Sequence, residues 1–456
     1  MELAYRTDEH HPVVDRFLER RWRSASGALR PAPPLDISLD DEMFRYALTE
    51  QHQHRGLALM AYLRSGLTAA ETLQLALGEA LAHGNSTPRL RVLDFAAGYG
   101  RVTRFLLPLL RDLDPEAQLE VAEISDGALA FQHRHLDFVG HRSTTDADNL
   151  SIDRPFDAVT CCSLFTHLPR HRWQPWLSAL WRQLDAHAPS AALVFSTNGE
   201  DVLFPGRSLD PEGFCIESVS EKDDLELSEY GTTWTNADFV RRQVEAACPD
   251  CTRLVRVPRG LWHFQDLWIA VRTGDREPGG QAVDFSSSHD LPLPPEGYLD
   301  VCAPQHAGRL GLGGWAIDRA APDHPPRIEV FLGGEQVGAT QADRQRPEVA
   351  AELGEAFLRC GWQVEIELPE DRSGFDPAAL LEVTATSAAG RTTVLHLSAL
   401  EGADLVRRAS GGLEETRSEN LRLRVEIDRL EREKAAMEAS RFWKLRNAWF
   451  RLTGRR

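Results

Sequence analysis

The sequence predicts an α/β fold, a doubly wound parallel sheet, followed by an all-β sandwich and a C-terminal helix with coiled-coil character. Between residues 86 and 274, short apolar runs alternate with helical patterns, the grammar of a sheet clad by helices on both faces. From 296 to 400 the pattern changes to short alternating strands parted by Gly-, Pro- and Asp-rich turns, as in a small sandwich. Within residues 401–456, Leu423, Ile427, Leu430 and Met437 follow four- and three-residue steps, with Lys434 interrupting one seam position, a short heptad helix.

A chain of 456 residues exceeds what one core usually holds, so division into domains is expected. The formal net charge of -18 argues against a non-specific nucleic-acid binder, because phosphate binding needs a net basic face. Residues 1–8 show no basic region followed by an apolar core, and no apolar run approaches the length needed to cross a bilayer. The seven cysteines form no framework, so a cytoplasmic protein in a reducing compartment is expected.

Residues 1–85 read as an N-terminal helical cap. The first 40 or so are polar, with a Pro-rich break at 30–34. From Asp41 the pattern turns helical, with Met43, Phe44 and Ala47 on one face and Leu57, Met60, Ala61 and Leu63 on a second segment. Thr68 and Glu71 have the spacing of a capping box, which predicts a separate helix through Leu73, Leu75, Ala76 and Leu81. Val92, Leu93 and Phe95 then mark a short buried strand, Gly98 and Gly100 a tight turn, and Val102, Phe105 and Leu106 the start of a helix. A strand feeding a helix through glycines brings backbone N–H groups and a helix N-terminus close to a ligand. Asp94 ends the strand, where its carboxylate can face the occupant of the turn. Glu123 ends the next apolar run, one βαβ unit later, where it can accept hydrogen bonds from two ribose hydroxyls.

These residues resemble the first motif of the class I S-adenosylmethionine-dependent methyltransferases, a strand followed by Asp/Glu–x–Gly–x–Gly–x–Gly. Asp94, Ala96, Gly98 and Gly100 stand at its positions, with Ala96 in place of the first glycine. The resemblance covers roughly residues 40–273. It implies a Rossmann-like methyltransferase sheet, S-adenosyl-L-methionine as cofactor, and Tyr99, Ile124 and Ser163 as further cofactor contacts beside Glu123. It also implies that residues 143–150 are the adenine-binding loop, with Asp146 accepting from the adenine amino group and the Ala147 backbone beside the ring. The alternative for an acidic loop residue is plain solvation. Tyr46 and Arg55 are candidates to cover the methionine end of the cofactor, or else serve the cap's own packing.

Residues 156–168 follow as an apolar strand running into a loop that carries Ser163, Phe165 and His167, and they are similar to the family's fourth motif. The crevice of an open α/β sheet lies at such strand ends. His167 reads either as a general base, since an unperturbed imidazole titrates near neutrality, or as the residue that caps or orients the next helix. Trp173, Trp176, Leu177, Leu180 and Trp181 form a core-facing stripe, 191–198 a parallel strand and 265–272 the closing strand. In the family, insertions such as 199–232 shape the acceptor pocket. Cys161 and Cys162 read as buried thiols, and Cys248 and Cys251 have redox or zinc spacing but no second pair.

Residues 275–295 read as a linker. The sandwich that follows, with its Gly-Trp-Ala-Ile run ending at Asp318, Gly333-Gly334 and residues 346–349, resembles β-modules attached to bacterial glycan-assembly enzymes, which implies a binding or packing module. In the tail, Phe442, Leu445, Trp449 and Leu452 share a face opposite Arg441, Lys444, Arg446 and Arg451. That pattern suits a helix lying in an anionic membrane interface, peripheral on the inner face of the plasma membrane, or else a plain solvated helix. The tail resembles C-terminal segments of bacterial glycosyltransferases and their partners, and its coil either docks on its own body or pairs with a second chain or partner protein. Together the resemblances imply O-methylation of a surface glycan, its precursor or another small acceptor. Two other readings stand beside this one. One is a nicotinamide-dependent oxidoreductase, whose third glycine would fall at Thr103, and the other a non-catalytic scaffold of a glycan-assembly complex.

Overall fold

The computed structural model describes residues 2–24, 27–52, 55–82, 89–204, 206–217, 230–274, 283–304, 309–367 and 380–399. The heptad helix and basic tail expected over 401–456 lie outside the described residues. In the cap, strand β1 (Leu3–Tyr5) is followed by helix α1 (Pro12–Arg21), β2 (Ile37–Ser38), α2 (Glu42–Tyr46) and α3 (Arg55–Leu81), with β1 and β2 paired antiparallel. The first 40 residues, expected as a polar segment, contribute Tyr5, Phe17, Trp22 and Ile37 to the main core. Their irregular spacing carries no period, so only the tertiary fold reveals them as core.

Helix α3 corrects a second expectation. It runs unbroken for 27 residues through Thr68 and Glu71, and no new helix starts there. Glu71 does not reach back to cap; its carboxylate pairs with Arg21 of α1 at 3.2 Å. With most of α3 buried, packing decides its length rather than a local cap signal. At Gly66 the helix passes so close to the loop after Gly100 that an added Cβ would lie 2.1 Å from the Arg101 carbonyl oxygen. Gly66→Ala is therefore expected to cost about 1–3 kcal/mol in urea unfolding, because backbone must move to admit the methyl.

The central sheet is built from β3 (Arg91–Phe95), α4 (Thr103–Leu110), β4 (Gln118–Glu123), α5 (Asp126–Phe131), β5 (Val139–Arg142), β6 (Ala158–Cys161), α6 (Arg170–Trp181) and β7 (Ser190–Gly199). It continues with β8 (Phe214–Glu217), β9 (Thr232–Thr235), α7 (Ala237–Ala247), β10 (Arg253–Leu261), β11 (Gln265–Thr273) and β12 (Asp284–Ser287). Its order is β12-β10-β11-β7-β6-β3-β4-β5, with the β8–β9 pair attached beside the end of β7. Strands β3 to β7 are parallel, and β11 enters antiparallel between β7 and β10. The order reverses at β3/β6, and in sheets of this type ligands bind outside the carboxyl ends of the strands at that switch point.

Alternate residues of the strands face opposite ways, and the two faces are separate cores. Val92, Val121, Ala158 and Val194 pack with α3 and α4, whereas Leu93, Ala122, Val159 and Phe195 pack with α6 and α7. The tryptophan stripe of α6 lies in the second core as expected, with Trp173 against Phe165 at 5.0 Å and Phe239 at 5.1 Å. Within the expected linker, residues 284–287 instead form the edge strand β12, parallel to β10.

The sandwich comprises β13 (Glu296–Pro304), β14 (Arg309–Ile317), β15 (Arg327–Leu332), β16 (Glu335–Gln341), β17 (Arg344–Gln345), helix α8 (Pro347–Leu353), β18 (Arg359–Glu367), β19 (Leu380–Thr386) and β20 (Thr392–Ala399). One sheet has the order β13-β14-β18-β17 and the other β16-β15-β19-β20, and their inner faces enclose Leu312, Ile328, Val330, Trp362 and Val383. The module docks on the cap. Arg20 pairs with Glu382 and lies over the Phe331 ring, while Arg21 and Arg64 donate to the Thr392 and Val394 carbonyls at 2.6 and 3.2 Å.

Candidate functional site

Strand β3 delivers the chain into a loop whose backbone is held in left-handed conformations, with φ of +58° at Ala96, +56° at Gly98 and +74° at Gly100. The Ala96 N–H donates to the Ala122 carbonyl at 2.8 Å, which fixes the loop against β4. A non-glycine residue in that region carries a penalty of about 1–2 kcal/mol. Ala96→Gly is therefore expected to stabilise the fold by about 1 kcal/mol in urea unfolding, net of glycine's greater unfolded-state entropy. The two glycines serve different ends. An added Cβ on Gly98 would meet nothing within 4 Å, so this part of the backbone is open to a ligand, whereas one on Gly100 would lie 2.4 Å from Leu136 Cδ1.

The loop is held from behind by groups that sequence reasoning missed. Buried Arg104 donates from Nε to the Gly100 carbonyl at 2.9 Å, from Nη2 to Tyr99 at 3.3 Å and from Nη1 to Asp36 at 2.8 Å. Gln132 Nε2 donates to the Gly98 carbonyl at 2.8 Å. Neither residue belongs to a local pattern, since their targets are main-chain atoms.

Asp94 turns beneath this loop. Thr103 Oγ1 donates to one of its oxygens at 2.6 Å and Thr160 Oγ1 to the other at 3.0 Å, so a buried carboxylate ties β3, β6 and the start of α4 together. Burial raises its pKa to about 6, the two hydroxyls oppose that rise, and the neighbouring Glu123 adds to it. Asp94 and Thr160 are register partners across the parallel β3/β6 pair, a link that only the strand order makes visible.

Glu123 reaches the loop from the tip of β4. One oxygen accepts from Ile124 and Ser125 N–H at 2.8 and 2.9 Å, and the other from Gly98 N–H at 2.8 Å. A carboxylate offers about four acceptor sites, so the oxygen facing Gly98 keeps one for a hydroxyl donor. Tyr99 packs against Phe131 of α5 at 5.6 Å, and its hydroxyl is pushed up to about 12 by burial and by Asp40, Asp41 and Glu42 of the cap. The 143–150 loop is tied beside Glu123 by Ser143 N–H, which donates to the Glu123 carbonyl at 2.9 Å. Within it, Asp146 is exposed and caps a short turn by accepting from Asp148 N–H and Asn149 Nδ2, while the Ala147 side chain is buried in the second core.

Past β6, Ser163 also adopts a left-handed backbone, at φ +61°. Its N–H donates to Ser196 Oγ at 2.8 Å and its Oγ lies 3.1 Å from Gln265 Nε2, while Ser196 Oγ donates to Gln265 Oε1 at 2.7 Å. His167 fastens this loop to the segment before β9. Its Nδ1 lies 2.9 Å from the Gly231 carbonyl and its ring stacks on Tyr230 at 4.7 Å. A carbonyl partner assigns the proton of the neutral ring to Nδ1 and makes Nε2 the basic nitrogen. Arg55 does not reach this site; it is buried in the cap, pairs with Glu9 at 2.7 Å and donates to the Ala4 carbonyl at 3.0 Å. Tyr46 is exposed. Cys248 and Cys251 are buried thiols, with Cys251 Sγ donating to the Arg253 carbonyl. Among the described residues no group of His, Cys, Asp and Glu is arranged to hold a metal.

The open backbone at Gly98, the acceptor site on Glu123 and the adjoining 143–150 loop fit an adenosine-bearing ligand. Residues 92–187 match the family model described as a methyltransferase domain. No curated protein matches the chain in sequence. Among solved structures, the chain is similar to an O-methyltransferase family protein from Burkholderia thailandensis (15% identity, TM-score 0.32), covering 49% of this chain and 61% of that one. It is similar also to the 1,6-didemethyltoxoflavin-N1-methyltransferase of Burkholderia thailandensis, with bound S-adenosylhomocysteine (15%, TM-score 0.32, covering 46% of this chain and 80% of that one). A third is the glycopeptide N-methyltransferase MtfA (17%, TM-score 0.32, covering 44% and 90%). At these scores the likenesses carry no argument about acceptor or reaction. The family match falls on the strands and loops that build the site: residues 92–187 match a methyltransferase domain, which supports S-adenosylmethionine as the cofactor.

Proposed function

We propose that the chain transfers a methyl group from S-adenosylmethionine to a hydroxyl of a cell-surface glycan or its precursor. One observation carries the transfer reading: Glu123 and the open Gly98 backbone meet at the switch point of the sheet, inside the matched domain. Bound there, the cofactor supplies an electrophilic methyl; the new O–C bond forms as the S–C bond breaks, the electron pair goes to sulfur, and the hydroxyl proton leaves. The protein's part is alignment and exclusion of water. The open backbone at Gly98 and Glu123 hold the nucleoside, Asp146 and Ala147 border the adenine, and Tyr99 walls the loop against α5. His167 is the candidate general base past β6, its ring held by Gly231 and Tyr230.

The glycan part of the proposal rests on the likeness of the sandwich and tail to glycan-assembly proteins, with the sandwich fastened to the cap. The membrane and pairing roles of 401–456 belong to the same proposal. Among the described residues no helix is long and apolar enough to cross a membrane. The nicotinamide reading is disfavoured at Thr103, whose hydroxyl is bound to Asp94 where a dinucleotide fingerprint would place its third glycine. The test is transfer of tritiated methyl from the cofactor to cell-envelope fractions. Label in polysaccharide or its lipid-linked precursor supports the proposal, label confined to other small molecules removes the glycan, and cofactor binding without turnover on any fraction supports the scaffold instead.

A further inference from the structure

We infer that the acceptor site is a cleft with two aromatic walls and a neutral polar floor, suited to a polyhydroxylated six-membered ring such as a pyranose. This rests on the methyltransferase reading and names the acceptor class for it. The cleft is centred on the tip of β7. There Asn198 is the register partner of Gln265 in β11 on one side and of Trp234 in β9 on the other. Each flank carries an exposed phenyl backed by a tryptophan. Phe264 is 46% exposed and stacks with Trp262 at 6.0 Å, and Phe204 is 52% exposed and meets Trp234 at 5.0 Å. Both indoles are pinned through their N–H groups, Trp262 to the Ser65 carbonyl at 2.9 Å and Trp234 to that of Val202 at 3.2 Å.

The placement next to the methyl donor follows from two links. The Arg101 guanidinium, in the loop after Gly100, sits 5.1 Å over the Trp262 ring, and Gln265 joins Ser163 past β6. The β10–β11 hairpin that presents Phe264 holds Arg259, Trp262 and His263 at φ of +53°, +54° and +63°. Such strain persists only where surroundings over-determine it, and here the sandwich supplies the clamp. Arg259 pairs with Glu296 at 2.9 Å, a carboxylate also held by Arg319 at 2.7 Å, and His263 faces Thr393 at 3.4 Å. The sandwich thereby fixes one wall of the acceptor cleft.

The floor consists of Ser163, Asn198 and Gln265, braced from beneath by buried Ser196; their hydroxyl and amides carry no formal charge, which suits a neutral partner bearing donors and acceptors. Two exposed aromatics flanking one strand tip differ from scattered surface residues. The apolar C–H face of a sugar ring stacks on a phenyl while its hydroxyl edge meets the floor.

Saturation-transfer NMR on the full chain with S-adenosylhomocysteine present, using methyl glucoside, methyl mannoside and methyl rhamnoside as probes and glycerol as the ringless control, tests this. The expected result is saturation of ring C–H protons of at least one glycoside and none of glycerol. Phe264→Ala and Phe204→Ala should each lower that signal about fivefold, and Phe264→Tyr should restore it, with S-adenosylhomocysteine affinity unchanged throughout. No glycoside signal, or a signal that survives both alanine variants, overturns the inference and leaves the methyltransferase reading standing. A phenylalanine-dependent glycoside signal from a protein that does not bind S-adenosylhomocysteine would instead remove that reading and keep the sugar cleft.

Discussion

Replacing Glu123 with alanine is expected to weaken binding of S-adenosylhomocysteine about 30-fold, the loss of one charge-assisted hydrogen bond to a ribose hydroxyl. The structure adds a second consequence. Gly98, Ile124 and Ser125 all donate N–H groups to this one side chain, so its removal strips three main-chain donors of their acceptor. The glycine loop should loosen as well as lose its ligand, at a cost of about 1–3 kcal/mol in stability. Glu123→Gln separates the two effects. It keeps the shape and one acceptor oxygen, so the fold should hold while affinity for the cofactor product still falls about tenfold. Calorimetry and urea unfolding on both variants read these numbers. An alanine variant that binds like the wild type would show that the nucleoside lies elsewhere.

Asp94→Asn is expected to stabilise the protein at neutral pH, by up to about 3 kcal/mol. The folded-state pKa of about 6 stands above the ordinary 3.8, with burial as the main cause. For a carboxyl raised in this way, the favourable contribution of the neutral form is fully present below the unfolded value and is lost as pH rises through the folded value. Wild-type stability should therefore fall between pH 4 and pH 7, and the asparagine variant, which has no charge to bury, should not follow it. The gap between the two proteins opens with rising pH and closes near pH 4. Thr103 and Thr160 can still bond an amide, one as donor and one as acceptor. A gap independent of pH, or a variant less stable at pH 8, would mean that the two hydroxyls carry the charge without penalty.

The parts of the fold that the sequence made legible are those whose signal is local. Strand β3 and its glycines, the α6 tryptophan stripe and most of the alternating strands of the sandwich appear where their periodicity placed them. Glu123 stands at the tip of β4, a position that the end of one apolar run, one βαβ unit on, is enough to locate. The misses share a different cause. Tyr5, Phe17 and Trp22 are core residues without a period, and Thr68 and Glu71 gave a cap signal that the packing of a 27-residue helix overrides. The hydroxyls under Asp94 come from α4 and β6, and the amide of Gln265 that meets Ser163 comes from an antiparallel strand inserted late in the chain. Such partners become adjacent only once the strand order is known. For Arg55, of the two readings left open, the structure shows the packing one, an internal tie of the cap.

The most direct measurement is a crystal structure of the protein grown with S-adenosylhomocysteine. A ribose hydroxyl is expected within hydrogen-bond distance of Glu123, the adenosine over the open face of Gly98 and the adenine beside the loop that carries Asp146 and Ala147. Density for the ligand at any other place would contradict the account.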